Sequence, residues 1–431
     1  MESSSKHRLV IVGGGFAGLT LAQSLKNAPV SIQLLDRRNF HLFQPLLYQV
    51  AAGGLSPANI AAPLRSIVRK QANVCTYLTE VIQFHVSDQL VETTHGPIPF
   101  DTLVVAAGVR HAYFGHDEWE RHAPGLKSLE DATAMRRRIL LAFEQAEWTQ
   151  DDFARQRLLT FVIVGGGPTG VELAGALGEL AHHTLKREFH FIRPQSARIV
   201  LLEAADRILS SYPTSLSQKA QRSLQRLGVH VQLRAKVTYI DANKVSYTLD
   251  GKSQDIDTQT VLWAAGVQAS HLGAELKRET GVELDRVGRV MVQPDLTVPG
   301  HPNIFVIGDL AHCPGRDGIP LPGVAPVAMQ QGAYVGRMIK ARLGGKTIAP
   351  FHYHDRGSMA TIGRGAAIAD LGWIKLSGYL AWLAWLFIHL IYLVGFQNRL
   401  LVMVQWAWCY FTRNRSARLI TEVDPSASNR K

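Results

Sequence analysis

Two glycine clusters of one spacing stand out: Gly13-x-Gly15-x-x-Gly18 and Gly165-x-Gly167-x-x-Gly170. The first glycine of such a cluster permits a tight strand-to-helix turn. The second lets backbone approach a pyrophosphate, and the third lets helix and strand pack closely. The helix N-terminus then offers free N–H groups and a positive dipole end to phosphates. The chemistry this spacing fits is the cradling of a dinucleotide, although a lone cluster is a weak signal. Each cluster here has an acid to go with it. Asp36 closes an apolar run about 20 residues past the first cluster, where a carboxylate binds a ribose hydroxyl. The alternative is that it only opens a turn. Glu203 closes the run 198–203 after the second cluster, at a greater distance because residues 181–195 read as an insertion. An acid there repels a 2′-phosphate and favours NAD over NADP, although Arg207 lies close by. The alternative for Glu203 is a solvent-facing strand end.

Three further positions carry potential chemistry. Glu172 is expected in the first turn of the helix after Gly170. It either complements the helix dipole or places a carboxylate where protons move. Gly308-Asp309 ends a third buried-type strand, and such a carboxylate can accept hydrogen bonds from a sugar-alcohol chain. Cys75, Cys313 and Cys409 are far apart, with no C-x-x-C pair and no zinc spacing, so neither a disulfide scaffold nor a dithiol centre is expected. Cys313 reads as a structural thiol, His312 as a packing or surface residue, and His182-His183 as surface.

The elements that position these residues occur twice. Each cluster follows an apolar run (residues 9–12 and 159–164) and opens an apolar helical pattern. A second echo pairs Ala106-Ala107-Gly108-Val109 with Ala264-Ala265-Gly266-Val267, in the same order in each half. Continuous apolar strands alternating with helices predict parallel α/β sheets. The strand before Gly308-Asp309 comes after the second unit, so the chain is expected to return and complete the first.

The 431-residue length suits two or three domains. A composition of 46% hydrophobic and 19% charged residues excludes a disordered bulk. The net charge of +11 points to an anionic partner: nucleic acid, anionic lipid or a phosphate-bearing cofactor. No nucleic-acid-binding motif is present, so nucleic acid is not expected. No apolar leader precedes residue 8, so a secretory signal is not expected either.

The last fifth of the chain differs. Residues 376–398 contain no Asp, Glu, Lys or Arg, and residues 400–412 are again uncharged. A helix over 376–398 is long enough to span a bilayer. Yet Trp382, Trp385, His389, Tyr392 and Phe396 fall on one helical stripe, and Trp and Tyr prefer the membrane interface. A second helix over 400–411 is too short to span. Arg399, Arg413, Arg415 and Arg418 flank it and are expected to meet anionic head groups. Monotopic attachment is therefore favoured, with a single span as the alternative. Residues 423–431 are polar and expected to be mobile.

Over residues 8–346 the two units, the paired Ala-Ala-Gly strands and the late Gly-Asp resemble the two-dinucleotide-fold flavoprotein reductases. More closely, the chain resembles the type II NADH:quinone oxidoreductases, the single-subunit respiratory NADH dehydrogenases. The resemblance lies in residues 40–51 (FHLFQPLLYQVA), Thr79-Glu80-Val81, residues 165–172 with their glutamate, and residues 325–332 (APVAMQQG). The last segment is similar to the family's quinone motif AQxAxQxG, with Pro326 in place of the first glutamine.

The resemblance implies an α/β fold of two Rossmann-like dinucleotide-binding domains, the NADH domain inserted in the FAD domain, plus a C-terminal helical membrane-anchoring region. Residues 1–125 and 290–346 would form the FAD-binding domain, 126–289 the NADH-binding domain and 347–431 the anchoring region. The implied cofactor-binding residues are Gly13, Gly14, Gly15, Gly18, Asp36, Arg37, Val81, Ala107, Gly108, Gly308 and Asp309, with Gly165, Gly167, Gly170, Glu203 and Gly266. Glu172 and Gln330 would be catalytic, and Ala325, Ala328 and Gln330 would face the quinone. The implied activity is oxidation of NADH by hydride transfer to FAD, then reduction of a membrane quinone without proton pumping. The flavin carries this chemistry, so no metal or cysteine is needed. The absence of paired cysteines also counts against disulfide reductases and sulfide:quinone oxidoreductases. A homodimer lying on the cytoplasmic face of the inner membrane is implied too. Two other classes stay open: a flavoprotein reductase with a soluble acceptor, and a nucleotide-binding redox sensor.

Overall fold

The structure is a computed structural model that describes residues 6–315 and 318–421. The polar end, residues 423–431, lies outside the described residues, as does the side chain of Phe396. The chain divides into two compact units. One comprises Met1–Leu42, Ala61–Arg110 and Val267–Asp355, and the other Phe43–Ile60, His111–Gly266 and Arg356–Lys431.

The first unit is built on a six-stranded sheet in the order Thr297–Val298, His301–Val306, Thr102–Val105, His7–Val12, Val30–Asp36, Val74–Leu78. Its neighbours run parallel except at the Thr297–Val298 edge. Leu9, Val10 and Ile11 are fully buried, as an unbroken apolar run between two covering layers demands. The late strand His301–Val306 pairs with Thr102–Val105, so the chain does return to this sheet. Helices Phe16–Ser24 and Ala325–Leu343 cross closely on one face. Small residues make that crossing possible. A Cβ on Gly332 would stand 2.3 Å from the Ala17 carbonyl oxygen, and one on Gly336 1.9 Å from Ser24 Oγ.

The second unit holds a four-stranded parallel sheet in the order Val229–Gln232, Arg198–Leu202, Thr160–Val164, Thr260–Trp263. An antiparallel meander follows through Lys236–Ile240, Lys244–Leu249 and Lys252–Asp257. Trp263 anchors its core. The indole N–H donates to the Ala112 carbonyl at 3.1 Å, and the ring packs against Tyr113 and Trp119.

The tail also belongs to this unit. It forms strands Ser358–Gly363, Ala366–Asp370 and Lys375–Gly378, then helices Tyr379–Tyr392 and Phe396–Thr412. This corrects the single-span alternative. Residues 375–378 are drawn into the sheet, and Gly395, with φ of 88°, breaks the chain before the next helix. The 14-residue helix is about 21 Å long, short of a roughly 30 Å hydrocarbon core. No described helix is long and apolar enough to cross a membrane.

The aromatic stripe is corrected as well. Trp385 is 2% exposed, stacked on His389 and packed against Trp406, and Trp382 lies between Tyr379 and Tyr410. This stripe faces protein. The exposed face carries Leu380, Leu383, Phe387 and Ile391 on one helix and Leu400, Val404, Trp408 and Phe411 on the other. Two of the flanking arginines also turn inward. Arg415 pairs with Glu179 at 2.7 Å and donates to the carbonyls of Ala52 and Ala176, while Arg418 pairs with Glu188. The half-buried Glu179 and two backbone carbonyls hold Arg415, and the exposed Glu188 holds Arg418. Arg399 and Arg413 remain exposed.

Candidate functional site

The two glycine loops repeat each other atom for atom in their essentials. Gly13 and Gly165 have φ of 105° and 107°, a region that favours glycine. Each abuts the Ala-Ala-Gly strand end of its own unit: a Cβ would lie 2.4 Å from the Ala106 carbonyl oxygen in the first and 2.8 Å from Ala264 in the second. Gly18 and Gly170 rest on the carbonyl oxygens of Gly13 and Gly165, with a Cβ at 1.9 and 1.8 Å. Gly15 and Gly167 cap their helices, and a Cβ on either would meet nothing within 4 Å. That open backbone beside a helix N-terminus fits a pyrophosphate.

The acids close the loops. Asp36 accepts from the N–H of Gly14 at 2.6 Å and of Arg38 at 2.7 Å, so it shapes the turn and the loop together. Burial pushes its carboxyl up, against the hydrogen bonds from Gly14 and Arg38. Glu203 accepts from Gly166 N–H and from Ala205 N–H at 2.7 Å. It is not a free strand end. Arg207 is engaged with Thr214 and the Ser210 carbonyl. His41 was not foreseen as a site residue. It is 2% exposed and its Nδ1–H donates to the Gly14 carbonyl at 2.9 Å. Burial holds the ring below its ordinary value, hence neutral.

The remaining cofactor candidates fall into two groups. Arg37 is exposed beside Asp36, and Val81 is buried at the start of strand Val81–His85. Gly108, Gly266 and Gly308 all have positive φ, near 70°, at the ends of their strands. Ala107 precedes the first of these, and Asp309 follows the last in the turn Gly308–Leu310. The Gly308 N–H is held by the side chain of Gln331, which is 1% exposed, at 2.7 Å. Sequence reading passed over Gln331, since nothing in the sequence distinguishes it from its neighbour.

That neighbour, Gln330, is clamped. Its amide donates to the His354 carbonyl at 2.9 Å and accepts from the His354 N–H at 3.0 Å. Ala325 opens the helix Ala325–Leu343, Pro326 sits in its first turn, and Ala328 is buried in the core of the first unit. Proline suits that position, where no helical N–H bond is made.

Glu172 occupies a different setting from the one expected. Helix Pro168–Glu179 begins two residues before Gly170, because Pro168 presets the helical φ, so no acid lies in the first turn. Dipole complementation therefore does not account for Glu172. The carboxyl lines a cavity of about 360 Å3 in the second unit, with Tyr48, Gln49, Thr361, Trp382, Trp385 and Arg415 among the other lining residues. Burial raises it to about 8, against one weak hydrogen bond at 3.4 Å from the Thr361 N–H. It is thus largely protonated at neutral pH. Tyr48 is buried beside it and pushed well up, by burial and then by the Glu172 charge. Tyr48 stood inside the segment 40–51, but no spacing rule singles it out. Thr361 comes from a strand with no motif at all.

Comparison with known proteins agrees with this geometry. A family profile described as pyridine nucleotide-disulphide oxidoreductase matches residues 7–332, and one described as the NDH2 C-terminal domain matches residues 355–414. The type II NADH:quinone oxidoreductase Ndh of Mycobacterium tuberculosis is 46% identical, over 99% of this chain and 92% of its own length. The type II NADH:quinone oxidoreductase of Staphylococcus haemolyticus is 29% identical, over 84% and 89%. Among solved structures, NDH2 from Plasmodium falciparum in complex with NADH has the same fold, with a TM-score of 0.88 over 97% of this chain and 100% of that one, at 17% identity. The sulfide:quinone oxidoreductase of Aquifex aeolicus shares the fold at a TM-score of 0.70 and 17% identity, over 96% and 93%. On the first profile's length and the mycobacterial identity, this chain belongs to the type II NADH:quinone oxidoreductases.

Proposed function

We propose that the chain oxidises NADH and reduces a membrane quinone, with FAD as its bound cofactor and no proton pumping. The observation that carries this reading is a dinucleotide cradle whose own helix leads, five residues past its cap at Gly167, to a protonated carboxyl in a cavity wall. When bound, FAD supplies a two-electron relay, taking hydride from NADH and returning the electrons to quinone. The open backbone at Gly15 and Gly167 receives the two pyrophosphates. Asp36 and Glu203 turn toward the ribose hydroxyls, and Glu203 sets the preference for NADH. Gly308, its N–H held by Gln331, and Asp309 beside it meet the sugar-alcohol chain. Glu172 keeps a proton at the cavity wall, ready for a quinone oxygen. Gln330 fixes the backbone of His354, and any contact with quinone exchanges one of those two hydrogen bonds. The domain assignment is the one implied above: FAD on residues 1–125 and 290–346, NADH on 126–289, anchoring on 347–431.

The exposed apolar face of the two tail helices supports attachment to one leaflet. Arg399 and Arg413 are the arginines placed to meet anionic lipid. NADH is cytosolic, so the face is the cytoplasmic one, and a homodimer completes the arrangement.

An anaerobic absorbance titration of the detergent-purified holoprotein tests the activity. The flavin band bleaches on adding NADH and returns on adding a short-chain quinone. A band that bleaches but does not return leaves the donor half standing and refutes quinone as acceptor. Attachment is tested by changing Phe387 and Trp408 to Glu. Co-sedimentation with anionic liposomes falls at least about tenfold, because each buried aromatic contributes roughly 1.5–3 kcal/mol.

A further inference from the structure

Net turnover is NADH + H+ + quinone → NAD+ + quinol. Hydride carries two electrons and one proton, so each turnover draws one more proton from solution. A buried carboxyl that supplies it must be reloaded through protein. This argument rests on the reading that quinone is reduced at the cavity holding Glu172.

The cavity wall offers one continuous feature for that purpose. Glu172, Ala176, Glu179 and His183 recur at intervals of four, three and four residues, one helical stripe, and all line the cavity. The far end of the stripe is the exposed one. Tyr48 and Thr361, at the Glu172 end, are 7% and 5% exposed; His183, Arg364 and Arg413 form an exposed rim. From Glu172 to His183 is about 16 Å along the axis. The cavity has room for roughly ten waters at about 30 Å3 each, so it can bridge that distance.

The charged groups along the stripe divide the work. Glu179 is fully committed: one oxygen pairs with Arg415 at 2.7 Å and the other accepts the Arg364 backbone N–H. It anchors Arg415 and offsets that charge beside the water column. His182 is turned away, with its Nε2 packed against Gly228. Beside Glu172, His183 is the group on the stripe whose type changes charge near neutral pH. Arg413 donates to its Nδ1 at 3.3 Å, which leaves Nε2 to carry the hydrogen of the neutral ring. Burial and then Arg413, with Lys186 and Arg364, hold the ring below its ordinary value, while Glu179 opposes them.

We propose that His183 is where the proton consumed in each turnover is taken up, and that the stripe passes it through cavity water to Glu172. Nε2 already bears the hydrogen of the neutral ring, so taking a proton up places it on Nδ1 and displaces the Arg413 contact there; giving one up restores the neutral ring.

The test uses holoenzyme reduced by one equivalent of NADH and mixed anaerobically with a short-chain quinone, across roughly pH 5 to 8, where a histidine titrates. In wild type, flavin reoxidation slows as pH rises through the His183 range. In His183→Ala the rate at low pH falls about tenfold and this limb disappears, while added imidazole restores it. Bleaching by NADH is unchanged. Arg413→Gln moves the limb to higher pH. A second readout needs no turnover: deuterium exchange of the Glu172 carboxyl, followed by infrared spectroscopy without quinone, slows in His183→Ala. Unchanged reoxidation, or unchanged exchange, overturns the proposal. If quinone fails to reoxidise even wild type, the acceptor reading falls, and the exchange experiment still decides whether His183 feeds Glu172.

Discussion

The two glycine loops share their skeleton and differ in what grips them. In the first, Gly14 is held on both sides of its peptide by side chains, Asp36 on the N–H and the His41 ring on the carbonyl. In the second, Gly166 has Glu203 on its N–H, but its carbonyl accepts a backbone N–H from Leu209. The first grip is thus made by two side chains, one half-buried and one buried, brought from elsewhere in the sheet and from the chain after it. The second needs one side chain and otherwise closes on the backbone of Leu209, from the chain beyond Glu203. A loop fixed by side chains suits a cofactor that stays; one closed by backbone suits a substrate that comes and goes. Similar motifs therefore do not imply similar residence times.

Breaking each cradle separately gives the largest expected effect. Gly15→Val and Gly167→Val both place a side chain in open space, so both variants fold. The first is colourless after purification. The second keeps its flavin band, but its KM for NADH rises at least roughly a hundredfold, about 2.7 kcal/mol. A colourless Gly167→Val would show that the two cradles are assigned the wrong way round.

Glu172→Gln comes next. Quinone turnover falls about a hundredfold, as for loss of a general acid, while bleaching by NADH stays within about threefold. The same substitution has a stability signature. The folded carboxyl titrates near 8 against an ordinary 4.5, so its contribution is fully present below about pH 4.5 and is lost as pH rises through about 8. Wild type therefore loses thermal stability over that window by more than Glu172→Gln does. Parallel Tm–pH curves for the two proteins would count against a buried, protonated Glu172.

The smallest effects sharpen the comparison of grips. Glu203→Gln raises the KM for NADH up to about tenfold, about 1.4 kcal/mol, and narrows the preference over NADPH. His41→Asn weakens FAD retention by about 1 kcal/mol, roughly fivefold in Kd, and leaves the KM for NADH alone. Release of flavin on dilution reads the second; steady-state kinetics reads the first. An equal effect of both variants on NADH would erase the distinction between the loops.

Much of this was legible in the residues. Glycine spacing, the apolar runs and the Ala-Ala-Gly echoes are local, and backbone sterics make local patterns binding: a positive φ at Gly13 or a carbonyl under Gly18 leaves no other residue a place. The tail shows where local reading stops. Its uncharged stretch was evident, but the break at Gly395 and the capture of residues 375–378 by a sheet depend on partners brought from the chain before it. Which side of that helix packs on protein is decided the same way, since Trp385 is claimed by Trp406 and His389. Glu172 is the sharpest case. Its presence five residues past Gly167 is a sequence fact, whereas its proton is not. A carboxyl is held protonated near neutral pH by losing bulk solvent, and Tyr48, Thr361 and Trp385, from three separate stretches of chain, line the cavity that sets it apart from the bulk.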